Sequence, residues 1–347
     1  MASYPRAVEA GGSRSLGRAA EPGGGSELDL APGPDLAPGP DLAAEPRGFV
    51  VELPGPFRIH FLDWGGPGES RSGVPSGRPG LLLIHGLRGS AWEWAPVARR
   101  ARLATRVVAM DLRGHGLSDA PTGAYGPEQL AEDAVAAAEG AGLLQAGGSG
   151  GPARVVLAGH GFGACVAAWA AAALGERCAG LALVDGGVDD VAAATGEQPE
   201  EFLRGLDEPP EVLASMAAYL ADRRDFDPAT WDADQERAAR ATVVETAAGR
   251  LLPAVRPHAL AASVRAMFAY RPAEVLPAID VPTVALLAGS EADAAGRSEM
   301  LAEVQAARRA AGRRPLAVMR FPGAGHSLAR YRSAEVTAAL LGLTLPA

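Results

Sequence analysis

The chain has 347 residues, a formal net charge of -9 and two cysteines. The acidic balance argues against nucleic acid or an anionic membrane as the main partner, and the absence of lysine excludes Schiff-base chemistry and a P-loop lysine. Two cysteines in a chain of this size do not make a disulfide scaffold, so we expect a reducing, cytoplasmic location.

The first 47 residues are dominated by glycine, proline, alanine, serine and acidic residues. The hexapeptide Asp-Leu-Ala-Pro-Gly-Pro begins at Asp29, repeats at Asp35 and starts again at Asp41. Such a segment buries too little apolar surface to offset its ordering entropy, so we predict a disordered tail over residues 1–47. It contains no basic-then-apolar leader, and the chain contains no apolar run of about 18 residues. We therefore expect neither a secretory signal nor a membrane span.

Ordered structure is predicted from residue 48. Residues 49–53 and 57–64 read as two strands of an antiparallel edge hairpin. Strand and helix patterns then alternate, with strands at 81–84, 106–110, 155–158, 181–184, 281–287 and 316–321, and helices at 91–103, 127–141, 164–174, 297–311 and 333–341. Nearly continuous apolar strands separated by helices predict an α/β fold whose mostly parallel sheet is covered by helices on both faces.

The alternation stops between residues 189 and 275. This block has no convincing strand, and its pattern predicts helices at 201–206, 211–220, 232–248 and 258–270. We interpret it as an inserted, mostly helical block that divides the α/β core into residues 48–188 and 276–347.

Polar residues follow the predicted strands at the points where the strands end. His85, Asp111, His160, Asp185 and His326 each lie in a glycine-rich or acidic cluster of this kind, and Glu291 and Asp293 follow the fifth strand of the alternating series. In an open α/β sheet, ligands bind outside the carboxyl ends of the strands. The sequence therefore predicts one site at this edge.

The central cluster is Gly159-His160-Gly161-Phe162-Gly163, between an apolar strand and an alanine-rich helix. It resembles a nucleophile elbow, G-x-S-x-G, with Gly161 at the serine position. Together with His85-Gly86, Asp111-x-Arg113-Gly114-His115-Gly116-x-Ser118 and Gly325-His326, it makes residues 48–345 resemble the α/β-hydrolase superfamily, in the branch with a helical cap inserted after the sixth strand.

The resemblance implies roles for particular residues. His326 would be the general base, and the acid that orients it would be Asp293, then Glu291, then Asp185 in order of preference. The backbone N–H groups of Leu87 and Phe162 would form the oxyanion hole. His85, Gly86, His160 and Trp92 would border the pocket, and the partner would be a small, mostly apolar ester-like molecule. We expect no cofactor and no metal, because neither a dinucleotide fingerprint nor metal-ligand spacing is present.

Gly161 is compatible with more than one function, because it occupies the position of the serine nucleophile. Glycine adopts φ > 0 freely, so it preserves the turn, but no covalent acyl-enzyme can form there. Ser90, Ser118 and Cys165 lie nearby in the sequence, yet the resemblance assigns the serines to loop shaping, and helical spacing turns Cys165 toward the core. Three interpretations remain: hydrolysis by water that His326 activates, a binding or regulatory protein without chemistry, and a lyase or isomerase step with His326 as acid and base. The oligomeric state is not predicted.

Overall fold

The computed structural model describes residues 40–55, 57–67, 78–145, 153–289 and 291–345, with the side chains of 40, 41 and 291–295 excepted. Within these ranges the strands are β1 Arg47–Leu53, β2 Phe57–Gly65, β3 Gly80–Ile84, β4 Val107–Met110, β5 Val155–His160, β6 Cys178–Val184, β7 Val243–Glu245, β8 Leu251–Pro253, β9 Thr283–Gly289 and β10 Ala317–Pro322.

Eight of these strands form one sheet in the order β1-β2-β4-β3-β5-β6-β9-β10. The predicted edge hairpin is confirmed, since β1 pairs antiparallel with β2, and β2 pairs antiparallel with β4. Every other neighbouring pair in the sheet is parallel. Strands β3, β5 and β6 are buried along their whole length, which explains their unbroken apolar sequences.

Helices cover both faces of the sheet, as predicted. Their bounds are α1 Ala95–Ala101, α2 Pro127–Gly140, α3 Phe162–Leu174, α4 Val191–Thr195, α5 Pro199–Arg204, α6 Met216–Phe226, α7 Ala233–Arg240, α8 Pro257–Ala269, α9 Pro272–Val275, α10 Glu291–Ala310, α11 Leu328–Tyr331 and α12 Ser333–Leu343. Helices α1, α11 and α12 pack on one apolar face. Helices α2, α3 and α10 pack on the other, together with α8 from the insertion.

The inserted block contains α4 to α9 and, against prediction, a small antiparallel hairpin of β7 and β8. The helix predicted over 232–248 is wrong because α7 ends at Arg240. The β-branched residues Val243 and Val244 then enter β7, and a turn closes at Gly249, whose φ is +76° and whose N–H donates to the Thr246 carbonyl. The helix predicted from residue 211 begins later, at Met216, where Ser215 caps it.

The last residues of the predicted tail are ordered. Arg47 already belongs to β1, and Arg99 of α1 donates to the carbonyl oxygens of Leu42 and Ala44 at 3.1 and 2.5 Å. Glu45 forms ion pairs with Arg99 and Arg237. The first part of the predicted tail, residues 1–39, lies outside the described residues. None of the helices in the described ranges combines the length and the apolar character needed to cross a bilayer.

Candidate active site

A sharp turn joins β5 to α3, and Gly161 is its apex. Gly161 has φ +53° and ψ −119°, a backbone conformation that costs a residue with a side chain about 1–3 kcal/mol. Its N–H donates to the Val184 carbonyl at 3.0 Å, which ties the apex to β6. A Cβ at Gly163 would lie 2.4 Å from the carbonyl oxygens of Ile84 and His85, so only glycine allows α3 to approach the end of β3. The predicted strand–turn–helix geometry is confirmed.

His326 faces this apex from the loop after β10. A Cβ built on Gly161 would lie 3.3 Å from His326 Nε2 and 3.6 Å from His326 Cε1. A serine at this position would therefore meet the imidazole directly. The His326 side chain is 40% exposed, so solvent reaches the ring.

Asp185, directly after β6, holds the other side of the imidazole. Its Oδ2 lies 2.6 Å from His326 Nδ1, and its carboxylate is buried, with 4% of the side chain exposed. This contact fixes the tautomer in which Nδ1 carries the proton and Nε2 is free to accept one. Asp185 has φ +43°, an uncommon conformation for a residue other than glycine.

Arg297 of α10 neutralises Asp185. Its Nη1 donates to Asp185 Oδ1 at 2.6 Å, and its Nη2 donates to Asp189 Oδ2 at 2.9 Å. The Ala288 N–H also donates to Asp185 Oδ1, at 2.9 Å. Burial alone would raise the pKa of Asp185, but His326 and Arg297 outweigh it and lower the pKa to about 2. Asp185 is therefore ionised at neutral pH.

The sequence favours an acid after β9, whereas the carboxylate that contacts His326 Nδ1 belongs to Asp185, directly after β6. Glu291 and Asp293 open α10, and their side chains lie outside the described residues. Two turns into the same helix, Arg297 supplies a cation to Asp185 instead. Sequence reasoning missed Arg297, because only the fold brings it next to the residues after β6.

The two predicted oxyanion donors lie at the ends of neighbouring strands. Leu87 is the third residue after β3 and Phe162 begins α3, and the parallel register pairs Ile84 with Gly159. Among the hydrogen bonds of the described residues, none uses the N–H of Leu87 or Phe162. Both donors are therefore available beside the apex.

The residues predicted to border a pocket have different environments. His85 is fully buried, with Nδ1 2.7 Å from the Gly86 carbonyl and Nε2 accepting from the Leu112 N–H at 3.0 Å. It holds the loop in shape and does not line an open pocket, which corrects the prediction. Trp92 packs edge-on against Trp64 and lies under the guanidinium of Arg237.

His160 and Gly86 of the same predicted set do lie beside the apex. His160 is buried between Glu93 and the His326 carbonyl, and a Cβ on Gly86 would come 3.0 Å from His160 Nδ1. Glu93 is a second residue that sequence reasoning missed, since its own segment reads only as a helix.

The other nucleophiles near the site are held in a loop or buried. The Ser118 hydroxyl donates to the Asp111 carbonyl at 2.8 Å and accepts from the His60 N–H, so it shapes a loop. Ser90 is 2% exposed. Burial raises the pKa of the Cys165 thiol far above its ordinary value, which keeps it from acting as a thiolate. Within the described part of the chain, no three His, Cys, Asp or Glu residues are grouped so that they could hold a metal.

An open groove of about 410 Å³ adjoins the loop that carries His326. It lies between the insertion and the core, and its lining residues are Phe226, Asp227, Gly323, Ala324, Gly325, Tyr331 and Arg332.

Comparison with known proteins gives a family match over most of the chain. The model of the "Alpha/beta hydrolase family" matches residues 81–340. Solved structures share the fold. One is described as E-2-(acetamidomethylene)succinate hydrolase, with TM-score 0.66 and 20% identity over 86% of this chain and 98% of that chain. Another is a thioesterase domain from the curacin biosynthetic pathway, with TM-score 0.60 and 21% identity over 85% of this chain and 99% of that chain.

Curated relatives match a shorter part of the chain. Protein phosphatase methylesterase 1 of Mus musculus is 36% identical over 130 residues, which are 37% of this chain and 32% of the relative. The Homo sapiens protein of the same name is 34% identical over 130 residues, with the same coverage. The match thus spans about a third of the length of these relatives.

Proposed function

The chain belongs to the alpha/beta hydrolase family, and on that premise we propose that it hydrolyses a small ester-like substrate by direct attack of water that His326 activates. The observation that carries this proposal is the orientation of the His326 imidazole toward Gly161. Its Nε2 lies 3.3 Å from where a side chain at Gly161 would begin, while Asp185 holds Nδ1. A base, its orienting acid and the oxyanion donors converge on an apex that bears no nucleophile.

The space at the apex suits a water molecule. A water occupies about 30 Å³ in the liquid, a volume comparable to the CH₂OH group that a serine would place there. A water in that space would lie within reach of His326 Nε2. The exposure of His326 gives solvent a route to the site.

The proposed reaction adds water to the substrate carbonyl and then expels the leaving group. The water oxygen attacks the substrate carbonyl as His326 Nε2 takes its proton, and the imidazolium is stabilised by the ionised Asp185. The N–H groups of Leu87 and Phe162 receive the negative charge that develops on the carbonyl oxygen. The tetrahedral adduct then collapses: the bond between the carbonyl carbon and the leaving oxygen breaks as His326 returns the proton to that oxygen. The ester is thus converted into acid and alcohol without a covalent bond to the enzyme.

The substrate class is an ester with a small leaving group. The partial match to proteins named as methylesterases supports this choice. The open groove adjoins Gly325, the residue before His326, and a ligand there would meet Phe226 and Tyr331 as well as Asp227 and Arg332.

The alternative is a ligand-binding protein without chemistry, and Gly161 itself favours it. Removing the hydroxyl abolishes the nucleophile while the turn, the oxyanion donors and the groove keep their shape. Such a protein would bind the same small molecules and release them unchanged.

The deciding experiment compares hydrolysis of p-nitrophenyl acetate by the natural protein, His326→Ala and the matched control His258→Ala, which removes an exposed imidazole from α8. We expect linear product release without a burst, no labelling by a fluorophosphonate, and a loss of about 10²–10⁴-fold in His326→Ala only. Hydrolysis that is no faster than the spontaneous reaction, or equal in all three proteins, refutes the proposal. Ligand binding without turnover would then favour the alternative.

A further inference from the structure

His160, the residue before the apex, is buried between two hydrogen-bond acceptors. Its Nδ1 lies 2.6 Å from Glu93 Oε1 and its Nε2 lies 3.0 Å from the His326 carbonyl oxygen, with 5% of the side chain exposed. A neutral imidazole carries one N–H and can satisfy only one of these acceptors, whereas an imidazolium donates to both. With Glu93 ionised, both contacts are satisfied only when His160 is an imidazolium.

Glu93 supplies the opposite charge. Burial alone would lower the pKa of His160, but the Glu93 carboxylate outweighs it and the pKa lies above the ordinary value. Burial would likewise raise the pKa of Glu93, but His160 outweighs it and the pKa lies below the ordinary value. The two side chains thus form an ion pair in which His160 is buried and Glu93 is half-buried.

The pair touches all three segments that meet at the apex. Glu93 precedes α1 and its carboxylate lies under the loop after β3, 3.4 Å from the Gly86 N–H. His160 ends β5. The His326 carbonyl belongs to the loop after β10, where it also accepts from the Leu328 N–H at 2.9 Å. The rings of His160 and His326 lie 4.4 Å apart, at an interplanar angle of 43°.

We propose that Glu93 and His160 are positioning residues, whose ion pair holds the His326 carbonyl and so keeps His326 Nε2 aimed at the apex. The proposal rests on the proposed role of His326 as the base. Asp185 fixes the imidazole from its Nδ1 side, and the pair fixes the backbone from which the imidazole extends. Without the charge on His160 its hydrogen bond to the carbonyl is no longer charge-assisted, and in the tautomer with the proton on Nδ1 the bond is lost. The loop is then held more weakly.

The charge state of His160 is the first measurement. Imidazole ¹⁵N NMR of the full-length protein at pH 7, with assignment from His160→Gln, should show both nitrogens of His160 protonated. In Glu93→Gln the same residue should become neutral, with one protonated nitrogen. A neutral His160 in the natural protein overturns the proposal.

The position of the His326 loop is the second measurement. The Leu328 N–H donates to the His326 carbonyl, so its hydrogen-exchange rate reports on that carbonyl. We expect exchange to be about tenfold faster in Glu93→Gln and His160→Gln. The double variant Glu93→Gln/His160→Gln should restore slow exchange, because a glutamine at position 160 can donate to the carbonyl and accept from a glutamine at position 93.

The matched control is His60→Gln. His60 forms a comparable buried pair with Asp111, at 2.8 Å, and has no contact with His326. Its replacement should leave the exchange of Leu328 unchanged. Equal acceleration in the control, unchanged exchange in both single variants, or no recovery in the double variant overturns the proposal. Neither the NMR nor the exchange measurement needs turnover. A lack of hydrolysis would therefore refute the proposed function and leave the test of the ion pair unaffected.

In addition, the pair should affect catalysis and not binding. Under the proposed function, Glu93→Gln and His160→Gln should lower kcat for ester hydrolysis with little change in KM, and the double variant should recover most of kcat. A change confined to KM contradicts positioning of the base.

Discussion

Gly161→Ser is the most direct perturbation of the site, because it adds the one group that the apex does not carry. The serine Cβ would lie 3.3 Å from His326 Nε2 and 3.8 Å from Gly86 Cα. Only the imidazole contact is tight, and a shift of a few tenths of an ångström relieves it. The hydroxyl then lies within hydrogen-bond reach of Nε2, so we expect an activated nucleophile.

The cost of this change can be worked from the backbone. A side chain at φ +53° costs about 1–3 kcal/mol, and a new hydrogen bond to Nε2 returns about 0.5–1.5 kcal/mol. The free energy of unfolding of Gly161→Ser should therefore fall by about 1–2 kcal/mol. Gly161→Ala carries the same backbone strain without the hydroxyl, so it should be the less stable of the two by about 1 kcal/mol. Urea denaturation of the three proteins measures both differences.

Reactivity gives the second test of the same variant. We expect a fluorophosphonate to label Gly161→Ser at residue 161, and p-nitrophenyl acetate to give a burst of nitrophenol equal to the enzyme concentration. Gly161→Ala should show neither, and Gly161→Ser/His326→Ala should lose both. A folded Gly161→Ser protein that is not labelled, or labelling that survives the loss of His326, would refute the alignment of base, acid and apex described above.

Three further predictions concern buried charges. Asp185→Asn should lower the rate of hydrolysis about 10²–10⁴-fold. Because the pKa of Asp185 in the folded protein, about 2, lies below the ordinary value of 3.8, the carboxylate contributes about 2 kcal/mol to the free energy of unfolding above pH 4. Urea denaturation should show this contribution decreasing between pH 4 and pH 2 in the natural protein. Arg297→Met should lower the free energy of unfolding by about 3–5 kcal/mol at pH 7, because Asp185 and Asp189 lose their cation. The triple variant Asp185→Asn/Asp189→Asn/Arg297→Met should recover most of that loss. An equal loss in the single and triple variants contradicts the ion-pair reasoning. Asp133→Ala should cost about 3–5 kcal/mol because it leaves Arg113 buried and unpaired, whereas Glu139→Ala, which breaks an exposed pair with Arg177, should cost under about 1 kcal/mol.

The fold was predictable because its signals are local. The apolar runs of β3, β5 and β6 are short and flanked by glycine, and each becomes a fully buried strand. The errors fall in the insertion, where polar, alanine-rich sequence has weak periodicity. There the predicted helix continues through Val243 and Val244, although β-branched residues before a glycine turn favour a hairpin.

The partners of the site residues were less predictable, because they depend on contacts between distant segments. His326 and Gly161 stand in recognisable motifs, yet Glu93 and Arg297 have no motif of their own. They lie 67 residues from His160 and 112 residues from Asp185, the residues with which they pair. The choice between Asp185 and the acids after β9 likewise depends on which loop reaches His326 Nδ1, and strand patterns do not contain that information.

The energetics around Asp185 bear on whether the site is functional or a relic of the fold. Its carboxylate is buried, its backbone has φ +43°, and the half-buried guanidinium of Arg297 balances its charge. Buried ion pairs of this kind are often no more stabilising than apolar side chains of the same volume, and a strained backbone adds a further cost of about 1–3 kcal/mol. Such an arrangement does not stabilise the packing of the core. However, His326 needs an ionised acid at Nδ1 if its Nε2 is to act as a base. The environment of Asp185 therefore supports a working base at His326 more strongly than Gly161 argues against one.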